Sequence, residues 1–252
     1  MKKLISALGI ASLCALPLTS KAAAYIETTV TDGGTITGKV TGSKDYAPKT
    51  YRVTKDDAIC GEADRVIDFV KISNGALQET VVYLEKVESG KPFPPDVGAG
   101  QTIQEKCEFK PFVSVMRNGA KFTSINKDPL LHNVHTYEIL GRRKKTIFNV
   151  SQPNPGTLSK VVKLKRGGPG MVVECDAHEF MRSYVFVAKN PYFAMVSADG
   201  TYKIDNVPPG KYTIKAWHGY LWDQEDKVEV KASGSATVNF TFAGTRPPKK
   251  GK

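Results

Sequence analysis

Apolar and polar residues alternate in short runs along nearly the whole chain, at 35–41, 50–54, 66–72, 80–85, 112–116, 120–125, 146–150, 158–164, 170–174, 184–188, 201–204, 211–216, 227–231 and 236–242. A period of two sends successive side chains to opposite faces, the pattern of half-buried strands. Turn-forming groups separate the runs, among them Asn74-Gly75, Asn118-Gly119, Asp199-Gly200 and Pro208-Pro209-Gly210. No helix-period segment longer than two turns stands out, and 60–65 and 98–106 are the places for a short one. The pattern predicts an all-β chain built as a β-sandwich or Greek-key barrel.

The N-terminus departs from this pattern. Met1, Lys2 and Lys3 precede an apolar run from Leu4 to Leu18, and Ala22 and Ala24 offer small-residue cleavage positions. Residues 1–24 therefore read as a secretory signal peptide, which predicts a periplasmic or extracellular protein beginning at Tyr25. No other stretch approaches the roughly 18 apolar residues of a transmembrane helix.

Removing Lys2, Lys3 and Lys21 lowers the formal net charge from +11 to +8, so the chain stays basic. Outside the cytoplasm, and without an aromatic-basic RNA motif, that charge points to acidic protein partners or anionic surfaces and not to nucleic acid. It gathers at Arg142 to Lys145, around Lys163 to Arg166, and in the basic tail 244–252. Cys60, Cys107 and Cys175 survive signal removal, and in an oxidising compartment an odd count leaves one thiol over. Cys60 and Cys107 are the natural disulfide pair, which leaves Cys175 free.

The free thiol opens "CDAHEFM", in which Cys175, His178 and Met181 stand three apart. His132 opens "HNVH" farther upstream. Two imidazoles, a thiolate and a weak thioether are the donor set of a blue-copper site, and His132, Cys175, His178 and Met181 supply it. Met181 would be a poor zinc ligand. A Cys175/His178 nucleophile lacks the electropositive surroundings that catalytic cysteines need, because Glu174 and Asp176 flank it. No enzyme activity is expected. Strand alternation turns His135 away from His132, as a solvated surface histidine. His218, beside Trp217, Tyr220 and Trp222, reads as core or edge packing, with a docking surface or copper-loading site as the other readings.

"HNVH" at 132–135 and the segment from Cys175 to Val187 resemble the ligand segments of blue-copper cupredoxins of the amicyanin type. The resemblance implies one type 1 copper, an electron-carrying role, and a partner such as a cytochrome or dehydrogenase. It also implies that Asn133 ties the His132 strand to the Cys175 loop, that Phe180 packs beside the site, and that the edge of His178 reaches the surface as an electron route. Ala177 and Glu179 stand where such loops usually carry proline. A copper storage, delivery or surface-attachment module is the alternative function.

The flanks carry a second resemblance. "GGTITGKVTG", "ETVVYLEKV" and "ADGTYKIDNVPPGKYTIKAWHGY" resemble parts of a carboxypeptidase regulatory-like (transthyretin-like) β-sandwich. The expected fold is a Greek-key cupredoxin β-sandwich at 96–190, inserted into a second Ig-like or transthyretin-like β-sandwich made of 25–95 and 191–243, with two or three domains in series as the other arrangement.

Overall fold

A computed structural model describes residues 25–43, 46–221 and 223–243. The expected signal peptide, the basic tail and Trp222 lie outside the described residues. The fold is all-β: apart from the short helix Asp57–Cys60, every regular element is a strand. Among the described residues no helix is long and apolar enough to cross a membrane.

Strand pairing sorts the chain into two sets. Phe109–Lys110, Gly100–Gln104, Lys121–Asn126 and Gly156–Val161 form one sheet, in that order. Val113–Arg117, Arg182–Ala188, Gly170–Glu174, His132–Leu140 and Arg143–Gln152 form a five-stranded sheet. The flanks pair with each other instead: Thr80–Leu84 lies between Phe193–Met195 and Gly210–His218, and Gly34–Gly42 pairs with Thr201–Val207, Ser235–Thr237 and Phe240–Phe242. Strands more than a hundred residues apart in the chain thus pair within the flanking set.

Alternation explains how the two are joined. Met171, Val173, Val185 and Val187 enter one core, together with Phe122, Val134 and Cys175. Their neighbours Val172, Tyr184, Phe186 and Ala188 point the other way and join the core of the flanking sandwich, against Trp217. The strands Gly170–Glu174 and Arg182–Ala188 of this sheet are therefore buried on both faces, and each of their larger apolar side chains contributes roughly 1.5–3 kcal/mol. At this seam Gly219 has no room for a side chain: a Cβ would lie 2.2 Å from the Tyr184 ring.

Two expectations are corrected. Residues 98–106 hold no helix; Gly100–Gln104 is a strand with buried Gly100, Thr102 and Gln104, paired in parallel with 122–126. Polar residues on its inward face hide its period from a hydrophobicity pattern. The helix expected at 60–65 ends at Cys60, where Gly61 (φ 92°) takes a backbone conformation that glycine adopts without strain.

The aromatic group around His218 is packing. Trp217 is buried with its ring 5.6 Å from that of Phe186, and Tyr220 stacks on Phe69 at 4.7 Å. His218 accepts the N–H groups of Tyr220 and Leu221 at Nδ1, and burial pushes its pKa down to about 3. The folded state therefore keeps this ring neutral at pH values where the unfolded chain, at 6.5, takes up a proton. Stability from this group is complete above the unfolded value and is lost as pH falls toward 3, by up to about 1.4 kcal/mol per pH unit. Unfolding free energies from urea titrations at pH 7 and pH 5 should differ by about 2 kcal/mol on this account, a difference removed in His218→Asn, whose amide oxygen can still accept the two N–H groups.

Candidate metal centre

The centre is assembled from three stretches. His132 begins the strand His132–Leu140 with its side chain turned into the core. Cys175 to Met181 is the hairpin loop between two paired strands of the same sheet, closed by the Glu174–Arg182 pair and by a 2.8 Å salt bridge between those residues. Inside the loop the Met181 N–H donates to the His178 carbonyl at 2.9 Å, and the Cys175 N–H donates to the Met181 carbonyl at 3.3 Å. The third stretch is the 53–60 segment of the flank, which carries Asp56.

The donor atoms converge. His132 Nδ1 and His178 Nδ1 are 3.2 Å apart, and Cys175 Sγ lies 3.9 and 3.8 Å from them. Ligands sharing one ion at bonds of about 2.0–2.3 Å have separations of this size. All three side chains are buried. Met181 is 1% exposed in the same apolar cluster as Cys175 and Phe180.

Each imidazole is held by its far nitrogen. His132 Nε2 is 2.8 Å from Asp128 Oδ2, and His178 Nε2 is 3.0 Å from Asp56 Oδ2. Burial works against the Asp128 carboxylate, but bonds from the Cys107 N–H, His132 and the Lys106 N–H prevail and keep its pKa below the usual value. An ionised carboxylate only accepts, so the ring proton of His132 sits on Nε2. The same applies to His178, whose pKa burial lowers against the pull of Asp56. Two Nδ1 lone pairs therefore face each other beside a thiol, an arrangement that calls for a cation between them.

Burial raises the pKa of Cys175, and N–H donors from Asn133, His178 and Ala177 act in the opposite sense. A thiol pushed up suits a metal ligand, which gives up its proton to the metal, better than a nucleophile. The Ala177 donor is one that a proline could not supply.

Asn133 joins the two ligand elements: its side-chain Nδ2 donates to Asp176 Oδ2 at 2.9 Å, its side-chain Oδ1 accepts the Asp176 N–H, and its backbone N–H points to Cys175 Sγ at 3.5 Å. The Phe180 ring lies 5.7 Å from that of His178, under the Arg65 guanidinium. The Cys60–Cys107 disulfide is formed, and its sulfurs lie within 4.8 Å of a ring nitrogen of His178.

Two expectations about histidines are corrected. His178 does not reach the surface; it is 2% exposed, because Asp56 and the disulfide cover it. His135 faces away from His132 but is only partly solvated, its side chain being 15% exposed. Its Nδ1 lies 3.0 Å from the Asp176 carboxylate and 2.8 Å from the Tyr137 hydroxyl, and its Nε2 is 3.2 Å from Thr146 Oγ1. Sequence inspection missed Asp56 and Asp128. Asp128 stands four residues before His132, a spacing that could have drawn notice, whereas Asp56 is 122 residues from its partner.

A family model described as fn3_3, polysaccharide lyase family 4, domain II, matches residues 176–238. Similar solved structures include a purple cupredoxin from Nitrosopumilus maritimus, 19% identical, covering 35% of this chain and 99% of its own, with a TM-score of 0.29. Amicyanin from Paracoccus versutus is 17% identical over 38% of this chain and 84% of its own, TM-score 0.29. A copper-containing nitrite reductase from Thermus scotoductus is 13% identical over 42% of this chain and 25% of its own, TM-score 0.29. No curated protein matches.

Proposed function

We propose that the chain is a mononuclear blue-copper protein that carries single electrons between redox partners outside the cytoplasm. Its cupredoxin unit, 96–190, is inserted into a transthyretin-like sandwich formed by 25–95 and 191–243. The observation that carries this reading is the pair of imidazoles turned Nδ1-inward onto a free thiol, each locked by a carboxylate on Nε2. His132, His178 and Cys175 would hold the metal, with the thioether of Met181 as a weak further donor. When bound, copper supplies a one-electron couple.

The protein's share of the chemistry is positional. Asp128 and Asp56 fix the tautomer and orientation of the rings, and Asn133 ties the loop to the strand. Donors set by a packed sandwich move little between oxidation states, which favours rapid electron transfer. Burial around Phe180 and Met181 keeps water from the centre. One observation favours the alternative role of copper storage: the His178 edge is covered, which would slow electron exchange at that side.

Copper(II) titrated into the full-length chain should give intense visible thiolate-to-copper absorption that saturates at one equivalent. A colourless complex, or saturation at two, would overturn the blue-site reading. Ready loss of copper to a chelator combined with slow electron exchange would favour storage or delivery.

A further inference from the structure

The segment that covers His178 carries exposed charges of both signs, Asp56, Asp57, Glu62 and Asp64 beside Arg52 and Lys55. The outer face of the five-stranded sheet offers a different path to the centre. Asp176 follows Cys175 in the chain, and its carboxylate lies 3.0 Å from His135 Nδ1. The His135 ring stacks on Tyr137 with centroids 3.9 Å apart and planes 26° from parallel. The Tyr137 hydroxyl closes back on the same Nδ1 at 2.8 Å. Covalent bonds, hydrogen bonds and one ring stack thus run without a gap from the thiol to Tyr137.

That path ends under positive charge. Lys144 Nζ sits 4.0 Å over the Tyr137 ring, and Arg142, Arg143 and Lys145 beside it are exposed. With Arg182, the first three of these basic residues also line a cleft of about 270 Å³ between the two units; Glu174 lines it too and pairs with Lys144 and Arg182, so Arg142 and Arg143 leave the cleft net positive. A carboxylate side chain fits such a cleft by size and charge.

We propose that an acidic one-electron carrier protein docks on this basic face and exchanges electrons with the centre through Asp176, His135 and Tyr137. The inference rests on the blue-copper reading. One electron leaves copper(I), which becomes copper(II), and reduces the partner's centre; His135 and Tyr137 gain and lose none. Around His178 the carboxylates offset Arg52 and Lys55, so that side attracts the same partner less than the basic face does.

Two measurements test this independently. In the copper-free full-length chain, calorimetric binding of poly-L-glutamate should weaken about tenfold in Arg143→Glu/Lys145→Glu, and should not weaken in Glu62→Lys. Unchanged binding in the double variant overturns the docking face, whether or not the protein binds copper. In the copper-loaded chain, oxidation by the anionic oxidant hexacyanoferrate(III) at low ionic strength should slow about tenfold in that variant. It should also slow in Tyr137→Leu with an unchanged visible spectrum. Unchanged rates in both, or a rate that rises in Glu62→Lys alone, would assign the exit to the His178 side and overturn the path. Absence of a visible copper band in the unaltered chain would instead sink the blue-copper reading, leaving the poly-L-glutamate result to decide the docking face.

Discussion

Cys175→Ser is expected to abolish the visible absorption of the copper-loaded protein and to weaken copper binding by more than about a hundredfold, since loss of even an outer hydrogen-bond partner typically costs 10–100-fold. The sulfur is the one donor that can give an intense charge-transfer band, and it is the only free thiol among the described residues. Serine keeps a group that can accept the N–H of Asn133, Ala177 and His178, so the loop should retain its shape. Copper titrations followed by absorption, beside urea unfolding of the metal-free proteins, separate loss of the ligand from loss of the fold. An intense band that survives in the serine variant would remove Cys175 from the centre.

Removing the disulfide with Cys60→Ala/Cys107→Ala should cost about 4 kcal/mol of stability, the chain-entropy value for a loop of this size. The two cysteines are 47 residues apart and tie the flank to the middle unit. A second effect follows from position. The disulfide anchors the segment whose Asp56 holds His178, so transfer of copper to a chelator should speed up at least tenfold, the lower end of the usual cost of losing such a partner. Urea titration reads the first effect and stopped-flow chelation the second. Lost stability with unchanged exchange would mean that Arg65, which donates to the carbonyls of Cys60 and Lys106 and pairs with Glu108 at 2.7 Å, holds the cover by itself.

Much of the β architecture was legible because alternation is a local signal. The runs at 35–41, 80–85 and 170–174 correspond to strands with nearly the same limits. Where the inward face is polar the signal fails: Thr102 and Gln104 are buried, and the Gln104 amide nitrogen donates to Ser124 and Gln152. His135 illustrates a related limit. Its direction followed from counting along the strand, but its partners Asp176, Thr146 and Tyr137 come from the loop, the neighbouring strand and the next outward position.

What the sequence by itself determined was chemical identity: a chain of strands, a leftover thiol, and four donors of the right kinds with three of them in one short loop. Those properties depend on residue type and near spacing, which survive without coordinates. The tertiary structure decided how the donors can act. It brought Asp56 and Asp128 to the outer nitrogens of the two imidazoles, so that both lone pairs turn inward. It also closed the flank over His178 and left a stacked His135–Tyr137 pair under basic residues on the other face. The physical reason is range: a ligand loop is written in consecutive residues, whereas the partner of a ring nitrogen 122 residues away exists only after the two sandwiches have packed.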